Sequence, residues 1–469
     1  MNTLYRKVVF FTTCLLFLFS LSACEPAVPL ISLEQIKANG TLVVLSRNAP
    51  TVYVYDRDGN PSGIEYELIS KFADDHQLKI EFKLLDTVDD ILAALAKGQG
   101  HIAAAGLTAT EQRQGEFLTS RAYQSVSQQL VCRRGGAAPT SISELADINL
   151  HVISNSSYVN QLQRLKTKHP GLNWQLQNTY DTEYLLDQVW NKKIDCTVAD
   201  SNIVAINRRY HPELTTPLSL SEENPLVWVL PSNATPLLGS VNNWLDKQQN
   251  SGLLDTLQER YYGFIDTYDY VDTRKYLQRI KQRLPKYQET FKKSAEHHNL
   301  PWTLLASQAY QESHWNPKAK SPTGVRGIMM LTLPTAKEVG VSNRLDAIQS
   351  IEGGAKYLAK LHKRLPESIV EPDRTWFALA AYNVGMGHIH DARTLAERLG
   401  KNANYWSDLK DVLPLLAQKK HYKTLRYGYA RGAEPVAYVN RIRNFEDILR
   451  QQLPTEFKST ADTGQTINM

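Results

Sequence analysis

Glu312 makes the clearest chemical demand in this sequence. It lies in "LASQAYQESHWNP", Leu305 to Pro317, where Leu305, Ala309 and Glu312 are spaced four and three apart and share one face of a helix. The flanks of that face are apolar, with Trp302 and Leu304 before it and Trp315 after it. An ionised carboxylate is costly there unless it is paired, so the group should keep its proton above the usual carboxylate range. Asn316-Pro317 is expected to close the helix just beyond, and the negative end of the helix dipole pushes the same way. A carboxylic acid protonated near neutrality is what general-acid chemistry needs.

Acid catalysis on a glycosidic bond ordinarily uses a second carboxylate as base or nucleophile. The neighbourhood offers no convincing one. Glu338, Asp346 and Glu352 fall in amphipathic segments where a solvated face accounts for them, and Glu434, just before "PVAYVNRI", is the best remaining candidate. A metal is not expected in its place. No Cys/His cluster has zinc-ligand spacing, and Glu296-His297-His298 reads as a polar helix end, so no cofactor is assigned.

These residues need a scaffold, and 469 residues allow about two to four domains. A formal charge of +5 with no Lys/Arg block excludes nucleic acid as the natural partner and suits an anionic polymer such as cell wall. Residues 1–23 read as a secretory signal, with Arg6 and Lys7 ahead of an uncharged Phe/Leu-rich run. The run ends in "LSAC", Leu21 to Cys24, which resembles the bacterial lipobox, so Cys24 is expected to be lipidated. Several acyl chains on one residue give stable anchoring. Glu25, rather than an aspartate, points to the outer membrane facing the periplasm. Of the other cysteines, Cys14 leaves with the signal. Cys132 and Cys196 are either a disulfide or two buried thiols.

Residues 24–40 are expected to be a linker from the anchor. From 41 to 268 strand-like and helix-like segments alternate: "TLVVLS", "YELISKFADDH", "LKIEFKLL", "VDDILAALAKGQ", "HIAAAGL", and again "NLHVIS", "LLDQVWNKKI", "DCTVAD". Two similar α/β halves predict two lobes and a cleft. From 269 to 453 the pattern is helical throughout, which predicts an all-α domain, and 454–469 is polar and aperiodic, an expected disordered tail.

The α/β half resembles the periplasmic solute-binding proteins of the amino-acid type. "GLTATEQR", Gly106 to Arg113, resembles their Thr-x-Thr-x-x-Arg segment, with an aromatic crossover at "RAYQ". The resemblance implies that Arg113 grips a ligand carboxylate, that Thr108 adds a hydroxyl, that the helix opening at Ser156 offers its N–H groups, and that Asp200 takes the ligand ammonium. One departure is "GIEYE", in which Glu67 replaces the family's aspartate.

The all-α half resembles the lysozyme-like transglycosylases that cut bacterial murein. "QESHWNP", "SPTGVRGIMMLT", "LAAYNVGMG" and "EPVAYVNRI" match four family segments in family order over about 285–450, and Met330 stands where most of the family has Gln. The resemblance implies that Glu312 is the acid/base and that no second carboxylate is needed, because the N-acetylmuramoyl C6 hydroxyl attacks its own C1 and leaves a 1,6-anhydro sugar. Ser313, Met329, Tyr382, Asn383 and Glu434 would hold the glycan strand, and Tyr382 would also orient Glu312. A murein lyase anchored by lipid follows, with a cleft for a stem-peptide or amino-acid ligand. The competing readings are a sensor or solute-binding lipoprotein with an inactive lysozyme-like half, and a transport-associated receptor.

Overall fold

The computed structural model describes residues 29–55, 60–178, 181–264, 270–321 and 324–453. The expected signal peptide, Cys24 and the 454–469 tail lie outside these residues. No helix among the described residues is long and apolar enough to cross a membrane.

Two mixed sheets form the α/β half. In the first, Thr41–Ser46 pairs in parallel with Lys79–Leu84 and Ile102–Thr108, and Asn224–Leu230 then runs antiparallel to Ile102–Thr108. The second is centred on Cys196–Asp200, flanked by parallel Leu150–Ile153 and antiparallel Gln128–Arg133. The chain enters the second lobe at Gln128 and returns through Asn224–Leu230, a strand from late in the sequence that inserts beside the buried "HIAAAGL" run. After His101 that run is apolar because both of its faces are covered. Cys132 and Cys196 face each other across neighbouring strands and are joined as a disulfide.

The stretch read as a linker is not all linker. Ser32 and Gln35 form a reciprocal capping box that starts a helix at Leu33–Asn39, and Leu33 and Ile36 are buried with Ala234 and Leu237 in the first-lobe core. The α/β domain therefore begins before residue 41.

The second half is helical among the described residues. Pro285 breaks the first helical run into Tyr270–Gln282 and Gln288–His297, and Gly385 breaks "TWFALAAYNVGMGHI" into Asp373–Val384 and Met386–Arg398. Trp302–Ser313, which carries Glu312, packs against the long last helix Ala433–Gln452. It ends at Ser313, three residues earlier than expected, because His314 and Trp315 take left-handed backbone at φ 54° and 58°. That turn drives Trp315 into the core, where its indole N–H donates to the Ala306 carbonyl at 2.8 Å.

The halves are bolted together by the same last helix. Arg443 donates to the Glu259 carboxylate at 2.8 Å and stacks on Phe264 and Trp376 at 3.9 and 3.8 Å. Glu259 also pairs with Lys410, and Arg209 with Asp447.

Candidate functional sites

Glu312 sits in the last turn of its helix, half-buried against Ala433–Gln452. Its Oε1 accepts the Tyr438 hydroxyl at 2.5 Å, while the Tyr438 oxygen in turn accepts Gln308 Nε2 at 3.2 Å. Gln308 thus aims the phenol proton at the carboxyl group. Burial pushes Glu312 up to about 7 against the Tyr438 hydrogen bond, which pulls it down. No cation and no second carboxylate acts on it among the described residues. The carboxylates weighed as partners are occupied elsewhere: Glu338 pairs with Lys360, Asp346 caps a helix by accepting the Gln349 N–H at 2.9 Å, and Glu352 meets two histidines.

The remaining expected residues divide. Tyr382 does not orient Glu312 by a hydrogen bond; its hydroxyl donates to the Met329 carbonyl at 2.9 Å. It still borders the acid, since burial and then the Glu312 charge hold its phenol well above the usual tyrosine range. Ser313 donates to the Ile328 carbonyl at 2.8 Å, so it ties the helix end to the 324–331 loop. Met329 contributes its backbone to the site, its side chain being fully buried against Gly354. The loop needs Gly327: φ is +88°, and a Cβ there would lie 1.8 Å from the Arg344 carbonyl oxygen. Asn383 is exposed at the end of its helix. Glu434 is not gathered into this group, because its carboxylate is exposed and paired with Arg431 at 3.0 Å. Tyr438, one helical turn further on, is the residue the sequence reading missed. It lies inside the quoted "EPVAYVNRI", and the resemblance of that segment to the family was the signal that could have found it.

The second candidate site is the cleft between the α/β lobes. Thr108, Arg113, Ser156 and Asp200 all line it, from both lobes. Arg113 is buried on the short helix Glu111–Glu116 and is fixed by donating to the Thr108 carbonyl at 2.8 Å. Asp200 is buried with one carboxyl oxygen unpartnered, and burial pushes it up to about 7 against Tyr158, Arg47 and Arg113. Ser156 stands at the N-cap of Ser157–Lys168, but its hydroxyl donates back to Ile153 at 2.6 Å instead of capping. The helix N–H groups are thereby left for something else.

Arg47, unassigned from sequence, lines the same cleft. Its Nε donates to Ala105 at 3.1 Å and it faces Glu183 at 3.7 Å from the other lobe. Asn155 likewise reaches Asp89 across the cleft at 2.7 Å. Glu67, the departure from the family pattern, lies elsewhere. It accepts Arg260 and, at 2.5 Å, Tyr261, which places it on the side facing the helical half.

Residues 41–264 match the model of the bacterial extracellular solute-binding proteins, family 3, and residues 289–405 match the transglycosylase SLT domain. Tyr438 lies beyond the second match. The chain is 45% identical over 421 residues to the membrane-bound lytic murein transglycosylase F of Maricaulis maris (strain MCS10), covering 90% of this chain and 92% of that one. It is 45% identical over 419 residues to the protein of the same name from Saccharophagus degradans (strain 2-40), covering 89% and 83%. Among solved structures, an ancestral arginine-binding protein bound to arginine covers 48% of this chain and 98% of its own at 21% identity, with a TM-score of 0.44.

Proposed function

We infer, since the chain belongs to the membrane-bound lytic murein transglycosylase F family, that it is a murein-cleaving lytic transglycosylase with Glu312 as its single acid/base. The observation that carries this reading is the solitude of Glu312: a carboxyl group raised to about 7, one phenol as partner, and, among the described residues, no second carboxylate acting on it. Hydrolysis by a pair of carboxylates finds no pair among the described residues.

The reaction is then intramolecular. Glu312 gives its proton to the oxygen leaving C1 of the N-acetylmuramoyl unit, and the C1–O bond breaks. The C6 hydroxyl of the same sugar forms the new bond to C1, and Glu312, now a carboxylate, takes its proton. No water is consumed, and the acid ends as it began. Tyr438 accepts from Gln308 and donates to Oε1, which leaves Oε2 to carry the proton. Tyr382, held by Met329, walls the acid so that the sugar meets it in one pose. The intact Gln308–Tyr438–Glu312 chain also disfavours an inactive, purely sensory half.

The test is to digest purified murein with the mature chain and weigh the products. Anhydro-ended fragments, one water lighter than hydrolytic ones, are expected; reducing-end fragments would overturn the mechanism. Anchoring through Cys24 to the outer membrane belongs to the same proposal, and Cys24→Ala should abolish lipid labelling.

The cleft is assigned a zwitterionic ligand, with its carboxylate on Arg113 and its ammonium on Asp200. Murein stem peptides offer both groups. Coupling has a physical carrier in the last helix, where Tyr438 holds Glu312 and Arg443, five residues on, holds Glu259 and the Arg260 carbonyl. Arg260 in turn grips Glu67 of the first lobe. A ligand that prefers one lobe arrangement shifts that chain of contacts by no more than its differential affinity.

A further inference from the structure

His297 and His298 stand at the end of the helix Gln288–His297, and the fold brings them against Glu352, which lies 54 residues beyond His298 in the first half of Ala347–Arg364. His297 Nδ1 is 3.1 Å and His298 Nε2 is 2.7 Å from the same oxygen, Glu352 Oε1. The two rings are nearly parallel, with centroids 4.6 Å apart, so both imidazoles converge on one point. One ligand atom from each of the three residues lies within 4.8 Å of the others. These imidazoles are the only ion-pair partners of Glu352 among the described residues; no lysine or arginine neutralises it. The Ser294 hydroxyl also hydrogen-bonds the Glu352 carboxylate and sets its orientation.

A surface histidine beside a glutamate is ordinary, whereas two imidazole nitrogens meeting one carboxylate oxygen bring together the donors of a metal-ligand set. A tetrahedral zinc ion binds nitrogen and carboxylate oxygen at about 2.0–2.2 Å, which places its donors roughly 3.3–3.5 Å apart. The two nitrogen–oxygen separations, 3.1 and 2.7 Å, are shorter than that range, so an outward swing of Glu352 is needed to open the position. His297 is 73% exposed, which leaves one side of the point open to water as a fourth ligand. Two nitrogens and one oxygen select a borderline late transition metal over Mg²⁺ or Ca²⁺, which prefer all-oxygen shells.

We propose that His297, His298 and Glu352 form a binding site for a divalent transition-metal ion, zinc being the representative. The site is separate from Glu312. It clamps the helices Gln288–His297 and Ala347–Arg364, whose buried faces (Phe291 and Ala295; Ile351 and Ala355) share one core with Met329. Metal binding therefore stiffens the packing beneath the loop that holds Tyr382, without entering the reaction.

The test uses the mature full chain stripped of metal with a chelator. Titration calorimetry with Zn²⁺ should show one equivalent bound, and thermal unfolding should move to higher temperature with Zn²⁺ and not with equal Mg²⁺. His297→Ala, at an exposed position that the fold does not need, should weaken Zn²⁺ at least about tenfold, because even the groups behind a metal-bound histidine are worth that much. His297→Ala with Glu352→Ala should abolish both the binding and the thermal shift. No Zn²⁺ binding by the natural chain, unchanged binding by the His297→Ala chain, or an equal shift with Mg²⁺ would each overturn the proposal.

Discussion

Glu312 and Asp200 are both pushed up to about 7 by burial, yet they occupy opposite electrostatic settings. Beside Glu312 stands a phenol and, among the described residues, no cation. Around Asp200 stand the guanidiniums of Arg47 and Arg113, together with the Tyr158 phenol. A half-buried acid that no described cation neutralises holds a proton that it can give away. A buried acid among cations, with one oxygen unpartnered, is poised to ionise as soon as an ammonium arrives. On the proposed function, the same titration point would serve donation in one half and capture in the other.

The harshest way to break this comparison is Glu312→Gln, which keeps the shape and removes the proton. Murein cleavage should fall by about 10²–10⁴-fold, the range of a general acid, while circular dichroism stays unchanged. Stability should respond as well. The folded pKa of Glu312 lies above its unfolded value, so its contribution is complete below the unfolded value and is lost as pH rises through about 7. The Gln variant should lack that loss and gain on the natural chain between pH 5 and 8 in denaturant titrations; a constant difference would mean that Glu312 titrates normally.

Next in size is Arg113→Ala. Removing one member of a buried charge pair typically costs 2–5 kcal/mol, so an amino acid or stem peptide bound in the cleft should weaken by at least about thirtyfold. Calorimetry that finds full affinity in this variant would remove Arg113 from the ligand site.

The sharpest form of the comparison is pH itself. Cleavage needs protonated Glu312 and should decline as pH rises above about 7, by up to about tenfold per unit. Affinity for an ammonium-bearing ligand needs ionised Asp200 and should rise with pH up to about 7, with proton release visible as a buffer-dependent binding heat. Asp200→Asn should erase the second trend and leave the first. Two profiles with the same slope would collapse the distinction.

Tyr438→Phe is the smallest change. It deletes the hydrogen bond that lowers the Glu312 pKa, so the alkaline limb of the rate profile should move upward by about one unit, with less than about a tenfold effect at pH 6. An unmoved limb would mean that Tyr438 does not act on the acid.

Much of this was legible from local signals. Period-2 and period-3.6 patterns separate an α/β half from a helical one, and Leu305, Ala309 and Glu312 read correctly as one face because they lie within two turns of one helix. Other features were illegible for equally plain reasons. Leu33–Asn39 looked like linker because a seven-residue helix carries little periodicity, although Ser32 and Gln35 spelled its capping box. Glu434 stands out because it is charged, whereas the residue of that segment that touches Glu312, Tyr438, is one of 23 tyrosines and carries no charge to flag it.

By itself the sequence determined which groups exist, which helix faces they share, and that Glu312 must be costly to ionise. Those properties depend on neighbours three or four residues away. Tertiary structure alone decided the pairings: Tyr438 with Glu312 across 126 residues, Cys132 with Cys196 across 64, and Glu352 with two histidines across 54. A hydrogen bond or a metal-ligand set is a matter of ångströms, and the distance between residues so far apart in the chain is fixed only when the helices and sheets between them pack.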